Sequence, residues 1–403
     1  MKFGKTFHQS IRSGPPHWTQ SAISYKSLKK LIRLLVNELQ DSGLTLSVLT
    51  TLLDPNQNTQ VQDQDQDQVP VRRWIQLRNG NWVQVSKASY ELDVPSQDHH
   101  QSSIALIRLT LKDNSTQLII PLEHDGQFFA QLCQALNLVE RFCASEHEIL
   151  TQELDHLCQI LTNTLASPNT PSGKRTLYHW RELIGLWIEL SIFTDSTESG
   201  KGHTRLAIEA EARMKVLESR LINLNSVAHS HLFLNLNRRL IDLNRFGEIN
   251  SEAVRKLLKK HYKRTALPLT IKLNGPNVSE LTRSLAIRLG ERLVDVVPIL
   301  ESYECPVCRE LAYKPVVMQC GHRFCVRCLV KLQRAGEDRC PVCRRPVVLH
   351  TTPRDLERDM KRFMELWFPK EVRKKVKVDG QEVAVEELEA LGMPVISPGC
   401  LIS

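Results

Sequence analysis

The chain has 403 residues, 41% hydrophobic and 24% charged, with 53 Lys+Arg against 45 Asp+Glu and a net charge of +8. At about 150 residues per domain, this length predicts two or three domains. The composition excludes wholesale disorder, and an excess of this size is no histone-like tail and matters only where it is concentrated.

Membrane and secreted classes are not expected. The N-terminus MKFGKTFHQSIRSGPPHW holds no apolar stretch suited to a signal peptide. The most apolar run, Leu183 to Phe193, contains Glu189 and falls far short of the ~20 residues a spanning helix needs.

Residues 1–45 read as a helical hairpin. Pro15 and Pro16 break a first short helix. In the second, Tyr25–Leu39, residues Leu28, Leu31, Ile32 and Leu35 recur at i, i+3, i+4, i+7 and make one apolar stripe. Residues 54–70, with the run QVQDQDQDQ, read as a polar linker. Residues 71–121 read as a small β insertion. Trp74–Leu77 and Trp82–Val85 flank the turn dipeptide Asn79-Gly80; Ile104–Leu111 and Gln117–Ile120 flank Asp113-Asn114-Ser115.

Helical periodicity returns at Phe128–Thr164 and Tyr178–Phe193, and at Thr204–Leu243 with a break. Loops are expected at Pro168–Gly173 and Asp195–Gly202. Glu252–Arg264 reads as a short amphipathic helix ended by Pro268. Val278–Tyr303, capped by Asn277, reads as a connecting helix. Leu356–Trp367 is amphipathic, and from Val376 onward the signals are weak.

Seven of the eleven cysteines fall between Cys305 and Cys343; Cys133, Cys143, Cys158 and Cys400 are scattered. Dense clustering with a nearby histidine points to metal and a reducing compartment rather than a disulfide scaffold. The pattern is C-x2-C-x11-C-x-H-x2-C-x2-C-x11-C-x2-C, with ligands Cys305, Cys308, Cys320, His322, Cys325, Cys328, Cys340 and Cys343. Eight such ligands make two closed tetrahedral zinc sites, structural rather than catalytic. Binding on the order of 10–16 kcal/mol per ion would supply most of the folding energy of so short a segment. LIM-like and PHD-like modules are the alternatives at this point.

Seven Cys with His in fourth place, together with Cys305-Pro306-Val307-Cys308, Cys320-Gly321-His322 and Cys340-Pro341-Val342-Cys343-Arg344, resemble a RING finger. The resemblance implies cross-braced ligation, with Cys305, Cys308, Cys325 and Cys328 on one ion and Cys320, His322, Cys340 and Cys343 on the other. It also implies recruitment of a ubiquitin-conjugating enzyme charged with ubiquitin. Val307, Leu332 and Pro341 would form its apolar docking groove, and Arg344 would be the linchpin that bridges enzyme and ubiquitin. Leu332 stands where many family members carry Trp.

Positive charge gathers in two places. The first 40 residues hold seven Lys/Arg against Glu38, and 251–264 hold six against Glu252. Tyr25, Lys26, Lys29, Lys30 and Arg33 are expected on the face away from the Leu28/Leu31/Leu35 stripe. Lys256, Lys259, Lys260 and Lys263 share one helical face, which costs energy unless an anion relieves it. His261, on the apolar stripe, reads as a packed core histidine.

MKFGK, Pro16-His17-Trp18, Tyr25-Lys26-Ser27-Leu28-Lys29-Lys30 and Lys256-Leu257-Leu258-Lys259-Lys260-His261-Tyr262-Lys263 resemble an SPX domain, a helical bundle that binds inositol polyphosphates and pyrophosphates. Asn244-Arg245-Phe246-Gly247 fits it loosely, and Tyr262 stands where the family usually has an acid. The resemblance implies phosphate contacts from Tyr25, Lys29 and Lys260, with Lys2, Lys5, Lys26, Lys256, Lys259 and Lys263 enlarging the basic surface.

The expected fold is therefore mainly α. An SPX-like bundle spans 1–268, with the linker and β insertion at 54–121. A connecting helix at 269–303, a two-zinc cross-braced RING finger at 304–346 and a C-terminal helix and tail at 353–403 follow. The expected function is a RING-type ubiquitin ligase, cytoplasmic or nuclear, that senses inositol phosphates or selects substrates in phosphate homeostasis. Relatives of this type act on membrane nutrient transporters, which implies that substrate class. The alternative is a non-catalytic zinc-containing adaptor. Nucleic-acid binding is not expected: the RING-segment arginines are scattered, and 6% aromatic residues give no stacking platform.

Overall fold

The computed structural model describes residues 3–53, 74–76, 80, 82–93, 103–111, 116–166, 170–193, 205–222, 229–268 and 278–391. The fold is mainly α with a small β insertion, as expected. It divides into two compact units: 1–154, 191–216 and 231–287 in the first, and 155–190, 217–230 and 288–403 in the second. Among the described residues no helix is long and apolar enough to cross a membrane.

The first unit opens with α1 (Phe3–Ser13), the short α2 (Trp18–Ser21), α3 (Tyr25–Asp41) and α4 (Leu46–Leu53). The stripe on α3 is buried as its period predicts: Leu28, Leu31, Ile32, Leu35 and Leu39 all leave water. Four strands follow, β1 (Trp74–Gln76), β2 (Trp82–Asp93), β3 (Ile104–Leu111) and β4 (Gln117–Pro121), paired antiparallel in chain order. Gly80, at φ +80°, belongs to the expected first turn. Asn79, the second turn and the linker at 54–70 lie outside the described residues.

The sheet is part of the core. Ile75, Val85, Ala88, Tyr90, Ala105, Ile107 and Leu109 bury one face against Leu35 and Leu39 of α3 and Leu49 and Leu52 of α4. Strand β3 keeps strict alternation, but β2 does not: Val85 faces inward, and so do Ala88 and Tyr90. A register shift between Val85 and Lys87 explains the change of parity. Ser86 is the extra residue, and its hydroxyl donates to the Thr110 and Leu111 carbonyls at 2.9 and 3.0 Å.

The long helices are α5 (Glu123–Leu165), α6 (Pro171–Leu190), α7 (Ala207–Ile222), α8 (Ser230–Thr265) and α9 (Val278–Val296). Three expectations change here. Glu252–Arg264 is no separate helix but the last part of the 36-residue α8. Its buried face carries Asn237, Asn244, Asn250 and Gly247, which interrupt the apolar pattern. Two of the asparagines bond within the helix: Asn237 and Asn250 donate to the Phe233 and Phe246 carbonyls at 2.8 Å. Gly247 allows close approach of α9, because a Cβ there would meet Val278 at 2.4 Å.

The helix expected over Val278–Tyr303 stops at Val296. Pro298 lacks an N–H and disfavours helix in the residue before it, and a 3-10 turn covers Leu300–Tyr303. Pro171, read as loop, instead opens α6, where its missing N–H costs nothing. The cap expected at Asn277, the loop at 195–202 and the break between α7 and α8 lie outside the described residues, apart from His229 at the end of that break.

In the second unit, β5 (Pro315–Val317) pairs with β6 (Arg323–Cys325), followed by α10 (Val326–Arg334), α11 (Arg358–Trp367) and α12 (Pro369–Ala390). The weak signals from Val376 conceal a 22-residue helix. Only Val372 and Lys375 of α12 are buried, so an apolar stripe hardly exists. Met364, Phe368 and Val372 join Leu311, Val316, Met318, Phe324, Leu329 and Val348 in one core, so α11 and α12 are continuous with the cysteine-rich module. Tyr178 of α6 donates to Glu371 at 2.6 Å, and the Arg181 guanidinium lies 4.0 Å from the Phe368 ring centre.

Candidate functional site

The eight expected ligands form two groups. Cys305, Cys308, Cys325 and Cys328 converge, as do Cys320, His322, Cys340 and Cys343, each with donor atoms within 4.8 Å of one another. The ligation is cross-braced. A tetrahedron with Zn–S bonds of ~2.3 Å has edges of ~3.8 Å. The Cys308 and Cys325 sulfurs lie 3.9 Å apart, and His322 Nδ1 lies 3.4 Å from Cys320 Sγ. The donor sets fit two structural zinc ions.

The module is built from two matching turns. Arg309 N donates to the Cys305 carbonyl at 2.9 Å and Cys305 N to the Glu310 carbonyl at 2.7 Å. Arg344 N donates to the Cys340 carbonyl at 2.8 Å and Cys340 N to the Arg345 carbonyl at 2.9 Å. In each turn the residue after the second cysteine is left-handed, Arg309 at φ +56° and Arg344 at φ +61°. These turns aim both sulfurs of each Cys-x-x-Cys pair at one point. Two further backbone amides approach sulfurs, Cys325 N to Cys305 at 3.5 Å and Cys328 N to Cys325 at 3.4 Å.

Val307 stands 44% exposed in the first turn, and Pro341 and Arg344 are exposed in the second. Leu332 is half-buried on α10. Val342 is a further exposed apolar residue of the second turn, which residue-type patterns do not single out. Outside the module, burial pushes the thiols of Cys133 and Cys158 up and that of Cys143 up to about 12, with Glu146 and Glu140 adding to the last. A raised thiol pKa disfavours the nucleophilic thiolate at these three positions. Cys400 lies outside the described residues.

The second constellation is on the first unit. A cavity of about 830 Å³ is lined by His8, Lys26, Lys29, Lys30, Arg33, Lys260 and Arg264 among others. A second, of about 750 Å³, is lined by Lys5, His8, Arg12, Tyr25, Lys26 and Lys29 among others. They share His8, Lys26 and Lys29, so they form one continuous basic surface with no acid in either lining. Helices α1, α3 and α8 supply it. Burial, then the charges of Lys29 and Arg264, hold the Lys260 amine below its ordinary range. Crowded cations of this kind favour a polyanion.

The structure brings Lys5, Tyr25, Lys26, Lys29 and Lys260 together here. Tyr25, expected on the face away from the apolar stripe, instead shares the buried side with Leu28 and Ile32 at i, i+3, i+7, its ring 5.2 Å from Phe3 and 5.8 Å from Phe7. Lys256 lines neither cavity; it pairs with Glu252 at 3.4 Å and lies 5.9 Å over the Phe3 ring. Lys259 and Lys263 are exposed and line neither cavity, and Lys2 lies outside the described residues. The sequence reading does not single out His8 and Arg12. Their signal was the i, i+3, i+4, i+7 spacing of Lys5, His8, Gln9 and Arg12 along α1.

His261, beside Lys260, is fully buried as expected. Its Nε2 lies 2.7 Å from Asp125 Oδ1, while Asp125 Oδ2 accepts the Tyr90 hydroxyl at 2.7 Å. Phe128 stacks on the imidazole at 5.1 Å. This network ties β2, the start of α5 and α8 together directly behind the basic surface.

The SPX domain family matches residues 1–231, and the C3HC4-type zinc finger (RING finger) family matches 301–349. The chain is 28% identical to an uncharacterized RING finger protein of Schizosaccharomyces pombe, covering 93% of this chain and 94% of that one. It is 24% identical to the transcriptional regulator of yeast form adherence 3 of Candida albicans, covering 95% and 96%. It is 35% identical to E3 ubiquitin-protein ligase PRT1 of Arabidopsis thaliana over 72 residues, 18% of this chain and 17% of that one. No solved structure matches.

Proposed function

The chain belongs to the SPX-domain family and carries a RING-type zinc finger, and from that premise we propose that it is a ubiquitin ligase controlled through its basic surface. The zinc module recruits a charged ubiquitin-conjugating enzyme through Val307, Leu332 and Pro341. Arg344 bonds both that enzyme and ubiquitin, which its fork of donors suits. Its effect is orientation of the thioester for attack, with no covalent intermediate on this chain.

The observation that carries this reading is the second Cys-x-x-Cys turn, which presents Pro341 and Arg344 to solvent beside a complete set of four zinc-ligating side chains. The local similarity to a protein named as a ubiquitin ligase supports it. On the first unit, Lys5, Lys26, Lys29 and Lys260 bind an inositol polyphosphate or pyrophosphate, linking activity to phosphate status. The substrate is a protein, with membrane nutrient transporters the class the family suggests, and the site of action is the cytoplasm or nucleus.

Auto-ubiquitination of the full chain with a panel of conjugating enzymes tests the ligase. Product is expected with at least one enzyme and is lost in Arg344→Ala, which retains two zinc ions. Because Arg344 is left-handed, Arg344→Gly removes the guanidinium and relieves the backbone by about 1 kcal/mol, so it is inactive and no less stable. A folded, zinc-loaded chain inert with every enzyme would overturn the reading. It would favour a non-catalytic adaptor instead, to which the near-full-length similarity to a protein named as a transcriptional regulator lends support.

A further inference from the structure

Helix α12 is seated on the zinc module mainly by charge. Arg327 of α10, only 7% exposed, pairs with Glu382 at 3.2 Å and with Glu386. Lys331 meets Glu382 at 2.6 Å, and Arg334 meets Glu386 at 2.7 Å. One cation on α12 runs the other way. Lys375 is 5% exposed, and its Nζ lies 3.6 Å from Cys308 Sγ, 2.9 Å from Glu310 Oε2 and 3.1 Å from Asp379 Oδ1. The two carboxylates fix the direction of the ammonium, and the sulfur is the remaining acceptor.

The two zinc sites differ in what they need from their surroundings. Four thiolates around a divalent ion leave an excess of two negative charges. Three thiolates and a neutral imidazole leave one. Lys375 faces the four-thiolate site, where a neighbouring cation lowers the electrostatic cost most.

We propose that Lys375 is a positioning residue for the four-thiolate zinc site, compensating its charge through Cys308, so that seating of α12 and retention of that ion are coupled. Partners that hydrogen-bond metal ligands from outside typically change metal affinity by ~10–100-fold. The coupling stands independently of whether the module acts as a ligase.

The test follows release of zinc from the full chain to a chromogenic chelator, with both ions counted. In Lys375→Met, which keeps the apolar stem, one ion of the two leaves about tenfold faster and the other at the wild-type rate. Lys375→Arg restores most of the retention. In the cobalt-substituted chain, the thiolate-to-metal charge-transfer band of the four-thiolate site moves in Lys375→Met. The pair Glu382→Gln/Glu386→Gln, which loosens the helix without touching the sulfur, speeds release of the same ion, as the coupling requires. Wild-type release of both ions from Lys375→Met overturns the proposal. So does an unmoved band in Lys375→Met with release no faster than in the Gln pair, since α12 would then act by packing alone. If circular dichroism shows Lys375→Met to have lost helix, Lys375→Gln is judged by the same criteria.

Discussion

Tyr90 and His261 are far apart in the chain, yet both hold Asp125, which is fully buried. Replacing Tyr90 by Phe removes one of the two partners that satisfy this carboxylate and is expected to cost ~1–3 kcal/mol. Burial and then the charge of Asp125 hold the Tyr90 hydroxyl far above its ordinary range. A group with a raised folded-state pKa stabilises the fold below its unfolded value, about pH 10 for tyrosine, and that stability is lost as pH rises beyond it. Melting temperatures measured across the alkaline range should therefore fall more steeply in the wild type than in Tyr90→Phe; parallel curves would refute the assignment. At this scale the sequence is uneven. The eight zinc ligands are legible because their spacing is local, and His261 is legible as core from its place on a stripe. The inward Tyr90 that completes the network on Asp125 is not, because the bulge at Ser86 turns it inward against the simple alternation of β2.

Among the elements, α3 was readable to its stripe and its charge, since one apolar face decides where it packs. Helix α8 was readable only in pieces. Its asparagines and Gly247 carry poor helix propensity, and what keeps them helical is burial with local side-chain bonds and the close fit to Val278. Helix α12 is not legible in the sequence because it is held by ion pairs and two buried residues, a pattern without hydrophobic period. The basic surface belongs to this scale because three helices build it. Lys260 sits among like charges, so Lys260→Met should leave the melting temperature of the free protein unchanged or raised. Inositol hexakisphosphate should raise the wild-type melting temperature, and Lys260→Met should lose most of that rise. A full shift in the variant would remove Lys260 from the binding surface.

For the molecule as a whole, zinc and apolar packing stabilise different regions. Structural zinc contributes on the order of 10–16 kcal/mol per site in small modules. The core that encloses these ligands also contains Met364, Phe368 and Val372. Chelation should therefore abolish hydrogen-exchange protection not only around Cys305–Cys343 but through α11 and α12, while Leu28–Leu35 of α3 stay protected. Protection of α12 surviving chelation would show that it is held elsewhere. The two compact units also alternate along the chain in six consecutive stretches, bounded at 154, 190, 216, 230 and 287. No single cut in the gene yields one unit whole and the other whole. Recombination can exchange the cysteine-rich module as a cassette, but neither unit can be inherited, lost or duplicated alone by one crossover, so changes in the two are expected to travel together through descent.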